Sequence, residues 1–364
     1  MRPTSIIIPF HSNTNYLFTC LASLEPGLSE GDEIVVVVNN DRFDESLSLD
    51  AFPWVRPIYF SESLGYSKAC NIGARSATGE LLLFCDADTL AITPHGVNVH
   101  RLEFENGTGV GATSSLQLSP TTGRIDDFGL GWSGHNVFHP FKYADPSDPR
   151  VQTTRRVQMA SSAHMMTPRK VFLELGGFDE GLQHFYQDTD YCVRLKDLAL
   201  DVRVLPAAQA FHRGASTSVN RSAFRIDDRA VFTMKNATRL RIDYEEYLAE
   251  SLSAGIFEGP CPAFYNVAIL STIFDPQQVL APLSRRVGLR AYCSRRIAER
   301  DTPHVDLFEE LGRSAALVPD PFLFVVDTVS ALRFNAIWKH LRGECGDIAV
   351  DRHGEVRATR ELFH

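Results

Sequence analysis

Seven cysteines (Cys20, Cys70, Cys85, Cys192, Cys261, Cys293 and Cys345) are scattered through this 364-residue chain without a single Cys-x-x-Cys. An odd number cannot all pair within one chain, and nothing in their spacing marks a zinc ribbon or a dithiol redox motif. They read as reduced, in a cytoplasmic compartment. Positive charge is in deficit too: 36 Lys and Arg stand against 45 Asp and Glu, a formal net charge of −9. Nucleic-acid backbones are held by clustered cations, so nucleic acid is not an expected partner. Long apolar runs are absent. Val267 to Phe274 is short, and Pro321 to Leu341 is broken by Asp327, Arg333 and Lys339, whereas a spanning helix needs roughly 20 apolar residues. The chain is therefore not expected to cross a membrane. Its start runs straight into an apolar strand with no leader pattern, so the sequons at Asn106 and Asn236 read as chance matches.

What remains is ordinary for a globular protein, with 44% apolar and 22% charged residues and length enough for one sizeable α/β domain with an appendage, or for two domains. The most informative stretch is Leu81-Leu82-Leu83-Phe84-Cys85-Asp86-Ala87-Asp88-Thr89. Five apolar residues without alternation predict a strand buried on both faces, as in the centre of a parallel sheet. Two carboxylates follow at its carboxyl end, where open α/β sheets bind ligands, and a strand period of two puts them on one side. Like charges so close call for a cation. Hard anionic oxygens suit Mg²⁺ or Mn²⁺ shared with substrate phosphates. A helix cap at Asp86 with Asp88 in a solvated turn is the competing reading.

Upstream, Ser5 to Phe10 and Glu33 to Val38 are buried strands on either side of a helix patterned on Tyr16, Leu17, Cys20, Leu21 and Leu24, which predicts a right-handed crossover and a parallel pair. Pro57 to Phe60 is a third strand. Leu64-Gly65 through Asn71-Ile72-Gly73 is a loop entering a helix that packs closely through small residues. Downstream, Val97 to Phe104 predicts a helix and Val110 to Thr113 a strand. Gly129-Leu130-Gly131-Trp132-Ser133-Gly134 spells a dinucleotide fingerprint, but Asp126-Asp127-Phe128 is a poor strand to precede it, and a Gly-rich loop is the better reading. Met159 to Thr167 predicts a strand, with a helix from Pro168. Leu175-Gly176-Gly177-Phe178-Asp179-Glu180 turns the chain. Gln187-Asp188-Thr189-Asp190 opens a helix in which Arg194 would pair with Asp190. Val202 to Pro206 is a further strand, leading to His212.

This order of motifs resembles the family 2 glycosyltransferases of the GT-A fold, of the rhamnosyl- and galactosyltransferase kind. The resemblance rests on the strand ending in Pro9-Phe10, the strand ending in Asn39-Asn40-Asp41, the Asn71-x-Gly73 helix, Asp86-Ala87-Asp88, Gly176-Gly177-Phe178-Asp179-Glu180, Gln187-Asp188-Thr189-Asp190 and the later His212, across about 220 residues. It implies a Rossmann-like α/β domain over residues 1–225, with a nucleotide-binding half at 1–90 and an acceptor and metal half at 91–225. Residues 226–364 would form a mainly helical C-terminal extension. The implied activity is metal-dependent inverting transfer of a sugar from a nucleoside diphosphate to a saccharide or lipid-linked glycan acceptor, in bacterial surface polysaccharide synthesis.

Residue by residue, the resemblance makes Asp88 a metal ligand, with Asp86 on the ribose or a metal-bound water and His212 a further ligand, for Mn²⁺ or Mg²⁺. Asp188 is the candidate general base, with Asp190 as fallback. The family's usual glutamate is replaced by Gln187, which removes an acidic neighbour that would raise the Asp188 pKa. Pro9, Phe10, Asn39, Asn40 and Lys68 are candidate base and ribose contacts. Asn39 stands where relatives carry an aspartate that reads a pyrimidine, leaving UDP, dTDP and GDP donors open. Trp54, Trp132, Phe138 and His139 could offer aromatic faces to sugar rings.

In the tail, Arg229 to Ser251 and much of Leu280 to Arg300 predict helices. Arg285, Arg286, Arg290, Arg295, Arg296 and Arg300 make a basic run suited to a solvated face or to peripheral contact with an anionic leaflet, and the apolar residues of Phe322 to Leu341 suit core or a homodimer face. Two other readings stay open. One is a nucleotidyltransferase, against which the Pro9-Phe10-His11-Ser12-Asn13 segment lacks a Gly-rich phosphate loop. The other is a sugar- or nucleotide-binding module of the same fold that has lost its base.

Overall fold

The computed structural model describes residues 2–39, 49–132, 137–142, 144–182, 185–214, 221–243, 246, 247 and 250, and five later segments at 264–269, 288–293, 322–326, 348–351 and 356–358. In chain order the elements begin with β1 (Thr4–Phe10), α1 (Thr14–Leu24), β2 (Glu33–Asn39), β3 (Val55–Phe60), α2 (Tyr66–Ser76), β4 (Leu81–Cys85), β5 (Thr89–Ala91), α3 (Gly96–Asn106) and β6 (Val110–Leu118). Next come β7 (Ile125–Asp127), β8 (Gly131–Trp132), β9 (Val137–Phe138), β10 (Arg155–Val157), β11 (His164–Pro168), α4 (Arg169–Glu174), α5 (Gln187–Leu195), β12 (Asp201–His212) and α6 (Arg221–Asn236). The last are β13 (Phe264–Ile269), β14 (Gly288–Cys293), β15 (Phe322–Val326), β16 (Ile348–Asp351) and β17 (Val356–Ala358).

The chain divides into two units, residues 1–130 with 145–239, and residues 131–144 with 240–364. The first is built on a mixed ten-stranded sheet in the order β10-β12-β6-β11-β4-β1-β2-β3, with β5 paired to β12 and β7 to β6. β1 runs parallel to both β2 and β4. The chain therefore leaves β1 first to one side and later to the other, and the carboxyl ends of these strands flank a topological switch point, where such sheets open a crevice for ligands. The apolar runs predicted to be buried are buried: Ile6 to Ile8, Ile34 to Val37 and Leu81 to Phe84 have no exposed surface. Burying one such side chain contributes about 1.5–3 kcal/mol.

Small residues let α2 lie close on β1 and β2. A Cβ on Gly73 would come within 2.5 Å of Ile7 Cγ2. Two residues before Gly73, Asn71 fastens this helix to the Gly176-Gly177 turn: its Nδ2 donates to the Phe178 carbonyl and its Oδ1 accepts from the Phe178 N–H, both at 2.8 Å. Gly177 has φ +78°, and a Cβ there would meet Asn71 Oδ1 at 2.4 Å, so only glycine fits. Phe84, Phe172, Phe178 and Tyr191 pack beneath with ring centroids 4.8–5.8 Å apart.

Several boundaries differ from the sequence reading. β6 and β12 are longer than predicted, and β12 reaches His212, because β6 and β12 pair along most of their length. β11 starts at His164 rather than at Met159, since Ser162 turns its N–H to a side chain instead of a strand partner. The helix predicted from Arg229 to Ser251 begins at Arg221 and stops at Asn236.

The second unit covers most of the region expected to be mainly helical, and much of that region lies outside the described residues. Its described residues include a five-stranded sheet in the order β14-β13-β15-β16-β17, parallel except for β17. Each strand is a run of three to six residues, too short for periodicity to separate a buried strand from a buried helix turn. Trp132 and Phe138, offered as sugar platforms, are buried in this unit, where Phe138 and Phe141 pack edge-on against Tyr247. Most of the basic run at 285–300 and of the apolar stretch at 322–341 lies outside the described residues. Among the described residues no helix is long and apolar enough to cross a membrane.

Candidate active site

β4 ends at Cys85, and Asp86 to Asp88 form a turn closed by the Thr89 N–H on the Asp86 carbonyl (2.9 Å). It is this reversal into β5, and not strand alternation, that brings the two carboxylates together. The turn is pinned to the sheet on its far side, where the Asp86 N–H donates to the Ala163 carbonyl at 3.0 Å. β5 then pairs with the end of β12 in the register Thr89↔His212, which delivers His212 to the same spot. Its Nε2 lies 3.5 Å from Asp86 Oδ2 and 3.7 Å from Asp88 Oδ1. Ligand atoms of all three residues fall within 4.8 Å of one another.

The other face of the imidazole meets a residue the sequence reading passed over. Nδ1 of His212 is 3.5 Å from Asp126 Oδ2. Burial by itself would lower the His212 pKa, but Asp126, Asp86 and Asp88 outweigh it and raise it to about 10. With its Nε2 proton displaced by an ion, the imidazole would add one nitrogen to two hard carboxylate oxygens, with a carboxylate behind it, a donor set that fits Mn²⁺ or Mg²⁺.

A polar chain leads from this cluster to Asp188. The Tyr66 hydroxyl donates to Asp86 Oδ1 at 2.8 Å and lies 3.0 Å from Ser162 Oγ, and the Ser162 N–H donates to Asp188 Oδ2 at 2.9 Å. Asp188 Oδ1 accepts from the Thr189 N–H at 2.8 Å. Burial raises the Asp188 pKa most. Hydrogen bonds from Ser162 and Thr189 oppose that, and the charges of Asp127 and Asp86 add to it. The expectation that Gln187 would leave Asp188 without an acid to raise it is thus corrected: the neighbours come from β7 and from the Asp86 turn. Gln187 itself is buried. Tyr66 stays protonated, its pKa driven up by burial and then by the Asp86 charge.

Asp190 is placed differently. It has no exposed surface and is bonded to Arg194 (2.8 Å), to Lys235 (3.0 Å) and to Asn236 (2.9 Å). The predicted i, i+4 pair with Arg194 is present. Among the nucleotide candidates, Pro9 and Phe10 end β1 and Asn39 ends β2 on the crevice side. The Asn39 Oδ1 accepts from the Leu64 N–H at 2.6 Å, and its main-chain carbonyl accepts from His11 Nδ1 at 2.8 Å. Lys68 is exposed near the start of α2. Asn40 lies outside the described residues. Trp54 packs edge-on against Phe52 at the rim of the core. Arg213, next to His212, stacks over the Tyr16 ring at 4.8 Å and gives its N–H to the Asp88 carbonyl at 3.4 Å.

Tyr66, Ser162 and Asp126 are the polar residues that reasoning from sequence missed. Tyr66 follows Gly65 at the head of α2, a position that its sequence neighbours mark. Asp126 sits in a polar three-residue strand with no periodicity to mark it.

Residues 5–95 match the family model "Glycosyl transferase family 2". The O-antigen biosynthesis protein RfbC of Myxococcus xanthus is 30% identical over 228 residues, which is 58% of this chain and 17% of that protein. The chain thus spans less than a fifth of the length of that relative. Among solved structures, GalNAc-T7 with UDP, GalNAc and Mn²⁺ aligns with a TM-score of 0.48 at 17% identity, over 58% of this chain and 44% of that one. The mannosyltransferase PcManGT from Pyrobaculum calidifontis, in complex with GDP-Man and Mn²⁺, aligns with a TM-score of 0.45 at 16% identity, over 72% of this chain and 66% of that one.

Proposed function

We propose, from the match of residues 5–95 to the glycosyl transferase family 2 model, a divalent-metal-dependent, inverting glycosyltransferase that takes its sugar from a nucleoside diphosphate and serves the synthesis of a surface polysaccharide such as O-antigen. The observation that carries this reading is the convergence of Asp86, Asp88 and His212 within 4.8 Å at the carboxyl ends of strands beside the switch point of the sheet.

Asp86, Asp88 and His212 would hold Mn²⁺ or Mg²⁺. The bound ion supplies Lewis-acid neutralisation of a leaving diphosphate. Asp126 keeps the His212 ring turned so that Nε2 faces the two carboxylates. Pro9, Phe10 and Asn39 border the crevice where the nucleoside would lie, with Lys68 at its edge. Asp188 is the base: as a carboxylate it takes the proton from an acceptor hydroxyl while that oxygen attacks the anomeric carbon from the face opposite the diphosphate. Its raised pKa suits the task, because a base that titrates nearer the working pH accepts a proton more readily. Tyr66 and Ser162 hold Asp86 and Asp188 in fixed relation. The donor base and sugar are set by contacts among the loops, and UDP, dTDP and GDP sugars are all candidates. Asp190 is a structural partner of Arg194.

The test is nucleoside diphosphate release from UDP-, dTDP- and GDP-sugars with Mn²⁺ or Mg²⁺. Release from one donor that stops on chelation supports the reading. Release from none, by a protein that still binds a nucleoside diphosphate with metal, reduces it to a binding module of the same fold.

A further inference from the structure

Apart from the acidic cluster, a cavity of about 230 Å³ opens beside β5, between the end of α1, the start of α3 and the middle of β12. The described residues that line it include no lysine, arginine, aspartate or glutamate. One of them, His164, is 2% exposed, and its Nε2 has no hydrogen-bond partner. Buried polar atoms are seldom left so, because a hydrogen bond given up to water and not remade inside is costly.

The rest of the imidazole is fully committed. His164 Nδ1 is 2.7 Å from Ser115 Oγ, which is 2.9 Å from His100 Nε2, and His100 Nδ1 is 2.8 Å from Thr113 Oγ1. Burial holds His164 down to about 4 and His100 well below its usual value, so both rings are neutral at pH 7. Each neutral ring has one donor and one acceptor nitrogen. If the Thr113 hydroxyl donates to His100, the protons run along the chain and His164 Nε2–H is a donor. If the chain runs the other way, Nε2 is an acceptor. A hydroxyl partner satisfies either polarity, whereas a carbonyl or an ammonium satisfies one.

We propose that this cavity is a second binding site, separate from the acidic cluster, for a small neutral hydroxyl-bearing molecule no larger than a monosaccharide, hydrogen-bonded to His164 Nε2. Charged ligands are disfavoured because no opposite charge stands among the described lining residues. The volume lies below the roughly 300–1,000 Å³ of pockets for drug-sized ligands. Leu24, Ile92 and Val97 supply apolar surface for carbon–hydrogen faces. An occupant would rest against Ala91 and Gln209, each three residues along the chain from Asp88 and His212 respectively. β5 and β12 are joined there by the Gln209 N–H to Thr93 Oγ1 (2.9 Å) and the Ile92 N–H to the Gln209 carbonyl (3.0 Å).

The experiment follows the imidazole nitrogen resonances of the ¹⁵N-labelled full chain during titration with glycerol and with the methyl glycosides of glucose, galactose and rhamnose. Glycerol represents a free polyol, and the glycosides represent the end of a glycan. At least one probe should shift His164 Nε2 saturably, and Ile92→Trp, which enlarges a wall residue, should abolish that shift. Should Ile92→Trp fail to fold, Ala208→Val narrows the cavity from β12 and should weaken binding. If no probe shifts His164 saturably, or if the folded cavity-filling variant responds as the parent does, the site is a solvent void and the proposal falls. The readout needs neither nucleotide nor sugar transfer, so its failure and failure of the glycosyltransferase reading are separate results.

Discussion

The phenolic hydroxyl of Tyr66 donates to Asp86 at 2.8 Å while touching Ser162 at 3.0 Å, so one side chain ties the acidic turn after β4 to the loop that holds Asp188. Hydrogen bonds to a charged group are worth about 1.5–3 kcal/mol. Tyr66→Phe keeps the ring and removes that bond. Catalytic efficiency should fall by about tenfold or more, with apparent metal affinity reduced, as checked by steady-state kinetics across Mn²⁺ concentrations.

Asp188 is raised above the ordinary carboxylate range by burial first and by Asp127 and Asp86 after the opposing hydrogen bonds. The acid limb of kcat/KM should therefore lie above the pH at which an exposed aspartate titrates. Asp188→Asn should lower kcat by about 10²–10⁴-fold and leave nucleotide binding intact. The same shift acts on stability. A raised folded pKa means that the folded state holds the proton more tightly, so the contribution is favourable at low pH and is lost as pH rises through the folded pKa. At neutral pH the Asn variant sheds a buried charge but has a single oxygen for the Ser162 and Thr189 N–H donors, so urea unfolding checks that it is folded before its rate is read. Unchanged transfer by Asp188→Asn would remove it as the base.

Asp126 faces His212 Nδ1 at 3.5 Å while Nε2 faces the two carboxylates. A carboxylate behind a metal-ligating histidine orients the ring, and losing it costs about 10–100-fold in metal affinity. Asp126→Asn should weaken Mn²⁺ binding by that order in a titration read by electron paramagnetic resonance. Equal affinity would show that Asp126 does not position the ring.

How much of this was legible without coordinates follows from where each signal sits. β1, β2 and β4 are continuous apolar runs, and Gly73 and Asn71 stand in a helix of small residues, so this part of the sheet can be read directly. Asp86, Asp88 and His212 were found by motif order, but the turn at Asp86 to Asp88 and the register Thr89↔His212 that join them are long-range pairings with no local pattern. Asp126 contacts His212 far along the chain from an unremarkable polar strand. Asp190, the fallback to Asp188 in sequence, is set in its structural role by contacts with Arg194, Lys235 and Asn236 that only the fold brings together. The short strands from β13 onward carry too few residues to reveal their period.

Glu33 offers an independent check on the frame of the first unit. Its Oε1 accepts from Ser5 Oγ (2.7 Å), the Thr78 N–H (2.6 Å) and Thr78 Oγ1 (2.8 Å), and its Oε2 from Arg56 (3.0 Å). Burial would raise its pKa, but these bonds prevail and lower it from 4.5 to about 2. A depressed folded pKa gives stability that is present above the unfolded value and lost as pH falls through the folded one. Glu33→Gln should lose stability at neutral pH and show a shallower decline between about pH 4.5 and about pH 2, as measured by urea unfolding at stepped pH.

The central claim is that Asp86, Asp88 and His212 hold a divalent ion on which nucleoside diphosphate binding depends. Isothermal titration of UDP, dTDP and GDP, each with Mn²⁺ and with chelator, into the parent and Asp88→Asn tests it most directly. We predict tight binding of one nucleotide by the parent with Mn²⁺ only, and loss of that binding in Asp88→Asn. Binding that is indifferent to both chelator and Asp88→Asn would contradict it.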